Sequence, residues 1–225
     1  MASKAEIKKA IADARKSKSA ADGALKKLTD IHVPEQARKS RLNLLARLRR
    51  ISRRMGKRIP LLRKRLEAKR IDGAKKAVQG AQGEIGQREQ PVGSNWGGHV
   101  TGYITYTGYT SPVYWCGCFA CWCIVGKGGA DVPSRIRFGY GPYIISDAKA
   151  GLNGFKAVPF SQAQPGDVLV YWGGEHIGLV EKAPVGSSIQ TIEGNTGDGN
   201  AVNGDGVYRR TRHDYDVTIV ARPSY

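Results

Sequence analysis

Residues 112–119 read Pro112-Val113-Tyr114-Trp115-Cys116-Gly117-Cys118-Phe119, a loop containing proline that hands over to a helix at a cysteine. The helix is expected to run from Cys116 to about Val125 and to stop at Gly126, Gly128 and Gly129. A thiol at a helix start meets unpaired backbone N–H groups and the positive end of the helix dipole, and both favour thiolate. A free cysteine titrates near ~8.5, and such a site lowers this by up to several units. Gly117, lacking a side chain, would let a substrate carbonyl approach the Cys116 amide, which could then donate to an oxyanion.

All four cysteines, Cys116, Cys118, Cys121 and Cys123, fall within this short stretch. A disulfide framework would spread them along the chain. The spacing admits a metal site, but no second set of ligands at zinc-like spacing appears. On a regular helix Cys118 also points away from Cys116 and Cys123. Cysteine is a small, well-buried residue, so Cys121 and Cys123 are most simply core. From spacing alone, nucleophile, core and metal ligand all stay open.

Downstream, Gln164-Pro165-Gly166-Asp167 is a turn feeding a strand, followed by Gly173-Gly174-Glu175-His176-Ile177-Gly178. His176 opens a strand behind two glycines, which would leave space for substrate beside the imidazole. Strands are expected at Asp167–Trp172, His176–Lys182, Ser188–Glu193, Val207–Thr211 and Val217–Ala221, separated by Gly and Pro turns. A helix followed by a meander of short strands is an α+β order. In Thr191-Ile192-Glu193-Gly194-Asn195, an extended chain points Glu193 and Asn195 the same way. A carboxylate or amide beside imidazole Nδ1 would fix the tautomer that leaves Nε2 free to take a thiol proton.

Taken in order, Trp-Cys-Gly-x-Phe, Pro-Gly-Asp plus a strand, His-x-Gly-x-Val and Ile-Glu-Gly-Asn resemble the CHAP family of cysteine, histidine-dependent amidohydrolases and peptidases. The resemblance covers roughly Gly83 to Tyr225; Glu84-Ile85-Gly86 and Pro91–Asn95 look like the family's opening, and Val220-Ala221-Arg222-Pro223 like its last strand. It implies a papain-like α+β domain, with the cysteine-bearing helix packed on an antiparallel sheet. It further implies cleavage of a peptidoglycan amide bond through a thioester acyl-enzyme. Cys116 is then the nucleophile, His176 the general base and then acid, Glu193 the group orienting His176, and Asn195 a supporting polar residue, with either of the last two able to make the contact to the imidazole. No cofactor is expected. Some members hold calcium in an acidic loop before the nucleophile; Thr101 to Trp115 contains no carboxylate, so no metal is expected there. Asp198, Asn200 and Asp205 sit in a glycine-rich stretch that reads as a mobile turn rather than a calcium loop.

The first third of the chain has a different texture. Residues 1–80 carry 25 Lys and Arg against 7 Asp and Glu, a net +18, whereas residues 81–225 carry 11 against 12. Two domains are therefore expected, a basic helical one over 1–80 and a catalytic one over 81–225. Ile7, Ile11, Ala14, Ala21, Leu25 and Leu28 recur in steps that mark one narrow helical face. A turn at Thr29–Pro34 leads to a second face at Leu44 or Leu45, Leu48, Ile51 and Met55, which Gly56 and Pro60 should break or kink. Leu62, Leu66 and Val78 would form a third piece, and Gln79–Gly83 a linker. The product is a basic helical hairpin suited to anionic wall polymers or a membrane surface. No aromatic residue precedes Trp96, so base stacking has no platform and nucleic acid is disfavoured.

No stretch approaches the ~20 apolar residues of a membrane span, and the N-terminus lacks the apolar run of a secretory signal. The expectation is a phage endolysin made in the host cytoplasm that acts on the cell wall after release. The alternatives are a wall-penetrating lysin carried in a virion or tail, and a basic nucleic-acid- or envelope-binding protein with an inactive second domain.

Overall fold

The structure, a computed structural model, describes residues 3–30, 34–197 and 204–225. Asp198 and Asn200 of the proposed turn, and Ile31–Val33 of the interhelical turn, lie outside the described residues. The chain divides into one compact unit ending at Lys69 and a second beginning at Arg70.

In the first unit α1 (Lys4–Asp30) lies antiparallel to the first part of α2 (Arg38–Gly83). Ile7 and Ile11 near the start of α1 pack with Leu62 and Leu66 of α2. At the other end, Arg41 donates to the carbonyls of Leu28 and Thr29, both at 2.9 Å, meeting acceptors that a helix C-terminus leaves free. The middle of the seam is polar: Asp22 accepts from Lys18 Nζ at 2.5 Å and from Ser52 Oγ at 2.6 Å. Of the two leucines offered for the second face, Leu45 is buried and Leu44 exposed. Pro60 does not end the helix. It removes only the bond to the carbonyl four residues back, that of Gly56, while Leu62 and Leu66 anchor the following turns on α1. The second and third pieces are one helix.

The stretch 79–83 is not a linker but the last turn of α2, in the second unit. Ala74, Ala77, Val78 and Ala81 are buried in that unit's core. A Cβ on Gly73 would come within 2.7 Å of the Gly128 carbonyl, and one on Gly80 within 2.6 Å of the Lys127 side chain. The small residues that suggested a flexible joint instead let the helix approach closely. The division at Lys69 and Arg70, rather than at 80, follows from that packing.

The rest of the second unit is α+β. Its six-stranded antiparallel sheet has the order β1-β6-β2-β3-β4-β5, with β1 Phe155–Val158, β2 Val168–Tyr171, β3 His176–Val185, β4 Ser188–Thr196, β5 Gly206–His213 and β6 Val217–Pro223. The five expected strands are present, and β1 is an unexpected short edge. Helices α3 (Gly98–Thr107), α4 (Cys116–Cys121) and α5 (Gly141–Ala150) complete the unit. The sequence did not announce α3 because glycine, threonine and tyrosine are poor helix formers. Its Val100, Tyr103, Ile104 and Thr107 are nevertheless buried at helical spacing, and that packing decides. The expected helix to Val125 is α4 followed by a π-helical turn, Trp122–Lys127. Pro165-Gly166-Asp167 is a structural turn: Asp167 accepts from the Gln164 amide at 2.9 Å and from Arg222 of β6 at 2.8 Å. The opening segment runs beside β5, with Gly86 N–H donating to the Val207 carbonyl at 2.9 Å.

Candidate active site

Cys116 is the first residue of α4 and is held there by the residue before it. Trp115 is fully buried, stacks on Tyr103 at 5.8 Å, and donates its indole N–H to the buried Glu89 at 2.8 Å. The first helical bond, Phe119 N–H to the Trp115 carbonyl at 2.9 Å, starts α4 at Cys116 and puts that residue's amide in its unpaired first turn. Gly117 has a structural reason of its own: a Cβ there would lie 1.8 Å from the Phe138 carbonyl oxygen, so glycine is required for that close approach within the fold.

The other three cysteines are wholly inaccessible free thiols. Burial pushes Cys118 up to about 11, even though the Thr107 hydroxyl donates to its sulfur at 3.2 Å. Burial raises Cys121 and Cys123 as well. None is a thiolate near neutral pH. Among the described residues no group of three or more His, Cys, Asp and Glu is placed to hold a metal ion.

His176 opens β3, paired with Tyr171 of β2, and its ring stacks on Tyr171 at 5.8 Å. Its Nε2–H donates to Glu193 Oε2 at 2.9 Å, and both side chains are buried. Nδ1 is buried without a hydrogen-bond partner among the described residues, so it is the nitrogen left for the thiol. Burial opposes charge on this ring. The Cys116 sulfur and Glu193 outweigh it and raise His176 to about 9. The ring nitrogens thus exchange the roles expected of them. Leu179 pairs with Ile192, which puts Glu193 opposite Gly178 and two positions along from His176. From that diagonal position its long side chain reaches the distal nitrogen. Gly178 makes room for it, since a Cβ there would stand 2.9 Å from Glu193 Cγ. The glycines before His176 serve the turn as well: Gly174, at φ +115°, leaves space for Pro142.

Glu193 is fully buried and heavily bonded. Arg212 of β5 grips it through Nε at 3.0 Å and Nη2 at 2.6 Å, the Thr191 hydroxyl donates at 2.7 Å, and the Tyr171 hydroxyl at 3.2 Å. Burial alone would raise this carboxyl, but the bonds from His176 and Arg212 prevail and hold it at about 2. Asn195 stands two residues further along, near the end of β4. It takes φ +53°, where the β4–β5 register shifts, and its carbonyl accepts from Gly204 N–H at 3.2 Å. The side chain is buried. Arg212, Tyr171 and Thr191 were missed by sequence reasoning; the only signal was an arginine recurring at period two in a strand near Glu193.

The structure therefore brings Cys116, His176 and Glu193 into one buried relay between α4 and the sheet. A family model described as CHAP domain matches residues 105–195. This segment is a CHAP domain. It implies a cysteine- and histidine-dependent amidohydrolase or peptidase with peptidoglycan as substrate. The match contains Cys116, His176, Glu193 and Asn195, and ends before Arg212. Comparison with curated proteins and with solved structures finds no match. Among the described residues no helix is long and apolar enough to cross a membrane.

Proposed function

We propose that the protein is an endolysin that hydrolyses an amide bond of peptidoglycan through Cys116, His176 and Glu193. The observation that carries this reading is the buried relay, with Glu193 on Nε2 of His176 and Nδ1 left for Cys116. The Cys116 thiolate attacks the carbonyl carbon, and the electron pair moves to oxygen, where the Cys116 amide at the start of α4 can donate. Collapse expels the amine, which takes the proton from His176 Nδ1, and leaves a thioester. Water then attacks while Nδ1 accepts one of its protons, and the second collapse frees the carboxylic acid, which loses the other proton to solvent, and restores the thiolate. Glu193 keeps the ring aimed throughout, and Asn195 supports the end of β4. A cavity of about 370 Å³, lined by Asn95, Tyr109, Pro112, Val113, Tyr114 and Gly139, includes the loop residues that lead into the nucleophile helix and is the place where the substrate chain would lie. Zymography on purified walls, with mass spectrometry of the products, tests the reading. Digestion must yield either a new L-alanine amine or a new peptide terminus, and a protein that sediments with walls but cleaves nothing would be only a binder.

The proton whose loss ends turnover belongs to the Cys116–His176 pair, because the leaving amine must be protonated. With His176 raised to about 9, kcat/KM on soluble wall fragments should hold through neutral pH and fall as pH passes that value. A basic limb in the ordinary imidazole range near ~6.5 would contradict the ion pair.

The basic hairpin suits an anionic envelope surface. Arg49, Arg50, Arg53, Arg54 and Lys57 recur at steps of three and four along α2 and line one cavity there. A chain beginning at Arg70 should keep its activity on soluble fragments but bind whole walls less tightly than the full chain. That advantage should shrink as salt rises, since exposed charges are screened over about 8–10 Å. A chain beginning at Gly83 should be less stable than one beginning at Arg70, because it lacks Ala74, Ala77, Val78 and Ala81 of the core. Equal sedimentation with walls by the full and Arg70 chains at low salt would show that the hairpin does not target the wall.

A further inference from the structure

We infer that Arg212 is a positioning residue of the active site, which keeps Glu193 ionised and aimed at His176 and so maintains the reactive state of Cys116. The geometry is specific. The guanidinium makes a two-pronged bond to Glu193, through Nε to Oε1 at 3.0 Å and Nη2 to Oε2 at 2.6 Å. Oε2 is the oxygen that accepts from His176. Arg212 is itself buried and lies over the rings of Tyr171 and Trp172, at 5.4 and 5.2 Å. Both rings also lean on the imidazole, at 5.8 and 6.2 Å. One pair of aromatics therefore holds the arginine and the histidine at fixed places around a single carboxylate.

A fully buried carboxylate and a buried imidazolium can form a charged pair, or the proton can cross and leave both neutral. The guanidinium decides between these, because it can compensate only the carboxylate. The groups facing Glu193 are His176 from β3, Tyr171 from β2, Thr191 from its own strand and Arg212 from β5. Cys116 acts on His176 from α4, and Asp216 acts on Arg212. With Arg212 removed, no other cation among these faces Glu193 once the imidazole proton has crossed. The neutral pair then wins, and Cys116 loses its imidazolium partner.

Cys116 reactivity reads this directly and without any wall substrate. This inference rests on the assignment of Cys116 and His176 to catalysis, but alkylation by iodoacetamide is independent of what the enzyme cleaves. Failure to cleave peptidoglycan and failure of the Arg212 role are therefore separate outcomes. The label is located by peptide mass spectrometry, and the other three thiols are buried. In Arg212→Met, alkylation of Cys116 at about pH 6, relative to the same variant at about pH 9.5, should fall at least about tenfold below the wild-type ratio, towards the roughly 300-fold difference of an ordinary thiol titrating at ~8.5. Arg212→Lys keeps the charge but not the fork and should restore part of the ratio. Thermal melting establishes that each variant is folded. A folded Arg212→Met with the wild-type profile overturns the proposal. Should Arg212→Met not fold, Arg212→Lys decides: a shifted profile supports the role, and an unchanged one overturns it.

Discussion

Cys116→Ala leaves a folded protein whose wall hydrolysis falls by about four orders of magnitude or more, the scale of losing a nucleophile that works as a unit with its base. The fold should survive because the anchoring of α4 rests on neighbours, not on the thiol: Trp115 on Tyr103 and Glu89, and Gly117 against Phe138. His176→Ala should match this loss, and the double variant should lose little more. Cys121→Ala and Cys123→Ala should keep activity, at the modest stability cost of a small cavity. Initial rates on purified walls, alongside thermal melts, separate chemistry from folding. The nucleophile assignment fails if Cys116→Ala stays lytic while Cys118→Ala does not. That outcome would run against the burial of Cys118 and its thiol, pushed up to about 11.

Much of the site was legible because its parts lie in short motifs with local rules. A cysteine after a proline-containing loop, a histidine opening a strand and a glutamate in the next strand need only alternation and turn chemistry. What escaped depends on contacts between strands. Arg212 lies 19 residues beyond Glu193 and reaches it across the β4–β5 pair; in sequence it is one arginine among Arg209, Arg210 and Arg212. Which imidazole nitrogen Glu193 meets is set by a diagonal register that no motif records. Small residues were the most ambiguous. At Gln79–Gly83 they resemble a joint and are a packing face, and at Gly117 they resemble an opening and meet a carbonyl. Composition reports that a side chain is absent, but only the tertiary neighbours tell what occupies its place.

Glu193 should be the most consequential residue for stability. In Glu193→Ala, Arg212 keeps its buried charge with no carboxylate opposite, and His176 Nε2 loses its acceptor. Breaking a buried ion pair in this one-sided way costs about 3–5 kcal/mol, so the melting temperature should drop steeply and activity with it. Glu193→Gln keeps the shape and one acceptor oxygen. It should melt between wild type and Glu193→Ala while still losing most activity, since a neutral amide cannot balance an imidazolium. The pH dependence distinguishes charge from packing. The carboxyl is held at about 2 against an ordinary 4.5: burial raises it, and the bonds from His176 and Arg212 lower it further. A depressed acid stabilises the fold fully above its ordinary value, and the contribution, about 3 kcal/mol for such a shift, disappears as pH falls towards 2. Wild type should therefore lose its margin over Glu193→Gln between pH 4.5 and 2. Melting curves that instead fall in parallel across that window would mean that the carboxylate charge contributes nothing to holding β3, β4 and β5 together at the site.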